Sequence, residues 1–181
     1  DAAGCVASAS VQITQPTQLT TAITSVSMVT CSGANNGSAT MLVNGGTPGY
    51  NYNWTPSSQT SSVAVSMAPG TYTCVVTDAN GCQSNQQVTI TQPNPLTISS
   101  FSITHLSCNG NNTGQINTTI TGGSPAYTIN WTPAQPNNAV ITNLAAGTYN
   151  LLVTDNQGCT VNGVYVVTEP SALVTSATAT P

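Results

Sequence analysis

Residues 69–82, PGTYTCVVTDANGC, return at 146–159 as AGTYNLLVTDNQGC. In both stretches a Gly-Thr-Tyr opening leads into an alternating run. The run carries Tyr72, Cys74 and Val76 in one copy and Tyr149, Leu151 and Val153 in the other. Each ends in Asp-x-x-Gly-Cys. Period-two alternation between Gly/Asn/Asp punctuation predicts a half-buried strand closing in a tight turn. The opening residues, DAAGC at 1–5, repeat that turn once more.

The recurrence has a fixed step. Cys5, Cys82 and Cys159 lie 77 residues apart, and the same step relates Cys31 to Cys108, Trp54 to Trp131, Tyr72 to Tyr149, and Pro16 to Pro93 to Pro170. Residues 19–93 align with 96–170 without a gap, and more than one position in three is identical. Duplication explains this. The phase predicts that 1–16 is the C-terminal part of a preceding repeat, 17–93 and 94–170 are complete repeats, and 171–181 is the first strand of a following one. The chain is thus expected to be a fragment of a longer array.

Within one repeat the sequence predicts short strands only. A first strand near 19–29 precedes CSGANNG. Ala39, Met41 and Val43 then alternate with polar residues, as do Ile116, Thr118 and Ile120 in the second copy. After a Gly-Gly turn, Tyr50, Tyr52 and Trp54 share a face, matched by Tyr127, Ile129 and Trp131. Val63, Val65 and Met67 follow, then the Tyr72/Tyr149 strand, and a last strand carries Val88 and Ile90. Six or seven strands in 77 residues predict an all-β fold of tandem immunoglobulin-like β-sandwich repeats. Trp54, Trp131, Tyr50, Tyr127, Tyr72 and Tyr149 are the expected structural core; Trp in mid-strand of a sandwich is an anchor before it is a sugar platform.

Six Cys without CxxC pairs point to disulfides and an oxidising compartment rather than a zinc site. If neighbouring strands alternate in direction, the turns holding Cys31 and Cys82 share one end. The expected bonds are then Cys31–Cys82 and Cys108–Cys159, with Cys5 pairing upstream. The rival pairs, Cys5–Cys31 and Cys82–Cys108, need two extended strands to be bridged. Cys74, whose counterpart is Leu151, reads as a small buried hydrophobe rather than a reactive thiol.

The chain has no Lys or Arg, four acids and one His, and charged residues make up 2%. Nucleic-acid binding and a polybasic membrane contact are excluded for want of cations, and no apolar run is long enough to insert in a bilayer. Asp1, Asp78 and Asp155 share one repeat position. One carboxylate per repeat is thin for calcium, and an Asp capping its own turn is the simpler reading. His105, opposite Met28 in the repeat, has no acid or nucleophile with an evident role, so no catalysis and no cofactor are expected. Sequons at Asn36, Asn53, Asn111, Asn117 and Asn130 are frequent by chance in so Thr/Asn-rich a sequence.

The ordered set Cys-x-Gly-x-Asn-x-Gly, Gly-Gly-[Thr/Ser]-Pro-x-Tyr, Asn-Trp-Thr-Pro, Ala-x-Gly-Thr-Tyr and Val-x-Asp-x-x-Gly-Cys resembles the SprB-type repeat of Bacteroidetes cell-surface and gliding-motility adhesins. It runs from Cys31 through Gly45, Trp54 and Tyr72 to Cys82, and again from Cys108 through Gly122, Trp131 and Tyr149 to Cys159. The resemblance implies a secreted surface protein, structural and not enzymatic. The expected function is the stalk of a cell-surface adhesin. A self-assembling extracellular filament is the alternative, and a glycan-binding module a weaker one. Expected partners are neighbouring repeats of the same chain, with homo-polymer contacts and surface glycans as further candidates.

Overall fold

Alternation in the sequence becomes twelve strands among the described residues of a computed structural model, which describes residues 3–4 and 6–176. Asp1, Cys5 and the end of the expected following repeat, 177–181, lie outside the described residues. The chain divides into two compact units. One comprises Asp1–Ser27 and Gly37–Ile90, the other Met28–Asn36 and Thr91–Pro181. The turn that bears Cys31 therefore belongs to the second unit. Of the expected strand at 171–181, the described part, 171–176, is not in a strand.

In the first unit, β1 (Thr20–Ser27), β2 (Gly37–Asn44) and β4 (Val63–Met67) form one antiparallel sheet with β2 in the middle. The other sheet holds β3 (Asn51–Thr55), β5 (Gly70–Thr77) and β6 (Gln83–Ile90), centred on β5. Ala39, Met41, Trp54, Ala64, Met67, Tyr72, Cys74, Val76, Val88 and Ile90 fill the space between. The second unit repeats this order. β7 (Thr97–Thr104), β8 (Gly114–Thr121) and β10 (Val140–Leu144) face β9 (Thr128–Thr132), β11 (Gly147–Thr154) and β12 (Thr160–Val167). Around Trp131 its core adds the Tyr165 ring, 5.7 Å from the indole and 5.1 Å from Phe101.

The inward phase of β4 differs from the expected Val63/Val65/Met67 alternation. Ala64 and Met67 are buried, while Val65 is 53% exposed. Ser66 lies between them at φ 53°, and Asn143 repeats this at φ 59° in β10. One residue in the left-handed region resets the pleat, so the buried pair falls three apart, as Ile141 and Leu144 do.

Strand direction decides which turns share an end. Thr21, near the start of β1, meets Ser84, near the start of β6, at 2.9 Å, and just past the two strand ends Val29 N donates to Thr91 O at 3.0 Å, so β1 and β6 run the same way. Following β1–β2–β4 and β6–β5–β3 through antiparallel pairs, β3 and β4 also run the same way. The change of sheet between them does not reverse the chain. The turn after β1 and the turn before β6 therefore lie at opposite ends of the sandwich. This corrects the expected Cys31–Cys82 and Cys108–Cys159 bonds, whose partners are separated by the length of a strand. An eight-residue strand spans about 26 Å.

The segment leading into each sandwich is held by the Gly-Gly turn. Gly46 N donates to Thr17 O and Gly123 N to Asn94 O, both at 2.8 Å. A Cβ on Gly45 would overlap the Gln18 carbonyl, and one on Gly122 the Pro95 carbonyl. Both glycines have positive φ, 70° and 77°. Gly122→Ala should therefore lower stability by about 2 kcal/mol or more, left-handed strain adding to the overlap. Gly110→Ala, at φ 75° but with open space around it, should cost only about 1 kcal/mol. Urea unfolding midpoints of the two variants measure the difference.

Candidate functional site

At one end of each sandwich, an aspartate organises the turn before the last strand. Asp78 Oδ1 accepts from Asn80 N and Cys82 N, and Oδ2 from Thr47 N, all at 2.9 Å. Asp155 does the same with Gln157 N, Cys159 N and Ser124 N. Each carboxylate thus ties the Gly-Gly loop to the Asp-x-x-Gly-Cys turn. These bonds, from Thr47 or Ser124 first, hold both carboxyls below the ordinary carboxylate range and outweigh the opposing effect of burial. Both oxygens are committed to backbone N–H groups, which is the turn-capping role and not an open calcium shell.

At the other end, the turn after the first strand is bonded to the segment leaving the sandwich. Val29 N donates to Thr91 O at 3.0 Å, Gly33 N to Gln92 Oε1 at 2.7 Å, and Thr91 N approaches Met28 Sδ at 3.3 Å. The second repeat reproduces the set with different chemistry. Leu106 N donates to Thr168 O, Gly110 N to Glu169 Oε2, and Thr168 N to His105 Nδ1. His105 is exposed at the end of β7 and serves as a backbone acceptor.

Cys31 is bonded to Cys159, across 128 residues of sequence, within the second unit. Cys159 Sγ also lies 3.5 Å from Thr30 O. Cys82 and Cys108 are free and exposed, and Cys74 is free and buried. Burial pushes the Cys74 thiol up, against a smaller lowering by the Asn53 backbone. It sits opposite Trp54 in the β3–β5 ladder, as the small hydrophobe the alternation suggests.

The aromatic residues serve the fold. Trp54 and Trp131 are 0% and 4% exposed, and their indole N–H groups donate to Ser61 O and Asn138 O. Tyr72 and Tyr149 are buried, with hydroxyls on the Ala68 and Ala145 carbonyls. Tyr50 and Tyr127 are half-buried, not core. Their hydroxyls donate to Gly45 O and Gly122 O at 2.6 Å. Sequence reasoning missed this last pair of roles, although the fixed Gly-Gly-x-Pro-x-Tyr spacing was the available signal.

The SprB repeat family matches residues 23–59 and again 100–136. Two segments of the chain, one in each 77-residue copy, are thus similar to the SprB repeat. Each matched segment runs from β1 or β7 past the first Cys turn to the Trp loop. It therefore contains Cys31 or Cys108 but neither Asp-x-x-Gly-Cys turn. No curated protein matches the chain. Among solved structures, a C-terminal 282-residue intimin fragment in complex with the intimin-binding domain of its translocated receptor is 15% identical, with a TM-score of 0.39. That match covers 81% of this chain and 64% of the fragment. The eight N-terminal immunoglobulin domains of Down Syndrome Cell Adhesion Molecule are 12% identical, TM-score 0.40, over 84% of this chain and 25% of that one. The surface-layer protein SbsC, domains 1–6, is 11% identical, TM-score 0.32, over 88% and 29%. The chain thus spans less than two thirds of each. The two SprB-repeat matches and the disulfide support an extracellular repeat protein.

Non-reducing peptide mapping with chymotrypsin should recover Cys31 joined to Cys159. In the native monomer, Cys82 and Cys108 should alkylate freely and Cys74 only after denaturation. Cys31→Ser should lower unfolding stability by up to about 4–5 kcal/mol, the chain-entropy expectation for so long a loop. Because the folded Asp78 and Asp155 pKa values are depressed, their contribution is complete above the ordinary carboxylate range and is lost as pH falls through the depressed values. A urea midpoint that declines on acidification, with the decline flattened in Asp78→Asn/Asp155→Asn, is the expected result.

Proposed function

We propose that this chain is a segment of the stalk of a cell-surface adhesin, with SprB repeats as spacers and ligand recognition elsewhere in the protein. One observation carries the reading. The polar side chains that the two copies share serve their own backbone: the Asp78/Asp155 carboxylates, the Trp54/Trp131 indoles and the Tyr50/Tyr127 and Tyr72/Tyr149 hydroxyls. A repeat whose shared chemistry is spent on internal turns is suited to spacing and ill suited to binding or turnover. The lack of Lys and Arg supports partners that are not nucleic acid and lateral neighbours met at little desolvation cost.

A filament-wall role is the second reading. It is favoured by the near-neutral Thr/Asn-rich surface, and the family's link to gliding motility fits either role. The test uses the host cell. On intact cells proteinase K should cleave within the chain, whereas trypsin should not, there being no Lys or Arg in it. In-phase deletion of 94–170 from the parent should shorten the projection seen by negative-stain electron microscopy yet leave adhesion measurable. Loss of ordered fibres on that deletion would favour the filament. Binding of the isolated chain on a glycan array would favour a recognition module and defeat the spacer reading.

A further inference from the structure

Shifting the sequence by one repeat maps Cys31 onto Cys108 and Cys82 onto Cys159. One member of each equivalent pair is bonded, Cys31 to Cys159, and the other member of each is a free, exposed thiol. We infer that Cys108 and Cys82 are the two halves of the same bond, each made with another copy of this repeat. Cys108 takes the Gly-Cys turn of a following copy, and Cys82 takes the Cys-x-Gly-x-Asn turn of a preceding one. The inference rests on the tandem-repeat reading and not on the adhesin role.

Three independent features support it. The Cys108 turn is presented as the Cys31 turn is, by two backbone donations to the departing segment, Leu106 N to Thr168 O and Gly110 N to Glu169 Oε2, and one from it, Thr168 N to His105 Nδ1. The Cys82 turn is likewise built as the Cys159 turn is, with Asp78 N donating to Cys82 O and Asp155 N to Cys159 O, both at 2.9 Å. The third feature is a cleft. Beside Cys159 a cleft of ≈ 410 Å³ is walled by Pro95 and Leu96 and, on its other side, by Cys31 and Ser32. Beside Cys82 the equivalent cleft of ≈ 340 Å³ is walled by Gln18 and Leu19, the counterparts of Pro95 and Leu96. The two clefts share four equivalent walls, Gln18, Leu19, Cys82 and Gln83 in one and Pro95, Leu96, Cys159 and Thr160 in the other, so each Gly-Cys turn opens on a recess, and the recess beside Cys159 is the one the Cys31 turn lines.

The chemistry is oxidation of two thiols by an organic disulfide. The Cys108 thiolate attacks the acceptor disulfide, forms a mixed disulfide and releases one thiol. The facing Cys82-type thiolate displaces the second thiol and closes the protein bond. Two S–H bonds and one S–S bond break, one protein S–S bond forms, and both protons and both electrons end on the two released thiols.

The test lengthens the full chain. A copy of residues 17–93 is inserted in phase between Pro170 and Ser171, in a Cys5→Ser, Cys82→Ser background, so that the only Gly-Cys-turn cysteine besides Cys159 belongs to the inserted copy. After refolding in a buffer of oxidised and reduced glutathione, non-reducing chymotryptic mapping should show Cys108 joined to the inserted Cys82-type residue and Cys31 still joined to Cys159. Native alkylation of Cys108 should fall by about tenfold or more relative to the unlengthened chain. Changing the inserted Cys82-type residue to Ser as well should restore that alkylation, which separates bonding from burial. Cys108 found free, bonded to Cys159, or bonded to the inserted Cys31-type residue would overturn the inference. A failed cell-surface experiment would leave this result standing, because the peptide map needs no host.

Discussion

The indole N–H of Trp54 reaches the Ser61 carbonyl at 2.9 Å, and that of Trp131 reaches Asn138 at 3.0 Å, where the chain crosses from one sheet to the other. The loop is pinned further. Trp54 N donates to Gln59 O at 2.9 Å, and the Gln59 side chain bonds both polar backbone groups of Val65. An indole buried between two sheets cannot leave its N–H unpaired without a cost of about 1–3 kcal/mol. The carbonyl that satisfies it lies on the returning loop. The loop is therefore drawn back along the sandwich, and β4 starts beside the middle of β2, Thr40 opposite Val63. Strands β3 and β4 run in the same sense as a result.

The rest of the end-to-end arrangement follows from that sense. With one reversal missing, a six-strand repeat begins at one end and finishes at the other. The incoming segment meets the Gly-Gly loop and the aspartate turn, and the outgoing segment meets the first Cys turn. Each repeat also carries one cysteine at each end. The observed bond uses one of each kind, Cys31 from an exit turn and Cys159 from an entrance turn. The disulfide thus follows the direction of the chain, which is set by a tryptophan several strands away.

This also explains which parts of the structure were legible in the sequence. Alternation is local, so Ala39/Met41, Tyr72/Cys74/Val76 and Val88/Ile90 were placed on the inner face correctly. The Asp-x-x-Gly-Cys cap was legible because its acceptor and donors lie within four residues, although the third donor, Thr47 or Ser124, was not. Val63 and Val65 misled because Ser66 adopts a left-handed backbone that nothing in its identity announces. The cysteine pairing misled for a different reason. Strand direction across a sheet change depends on where seven loop residues, 56–62, are pinned, and side-chain periodicity carries no record of direction.

The two copies also show what the fold requires and what it tolerates. Acceptors for the outgoing turn are a thioether and an amide in one copy, Met28 and Gln92, and an imidazole and a carboxylate in the other, His105 and Glu169. Only the acceptor position is fixed. The aspartate is identical in both copies, because its two oxygens must serve three donors at once and an amide would offer a donor where an acceptor is needed. Identity is thus retained where geometry demands two acceptors, and is free to drift where any one acceptor will do. Cysteine likewise recurs at both ends of both copies, and the observed bond joins one of each kind, Cys31 to Cys159.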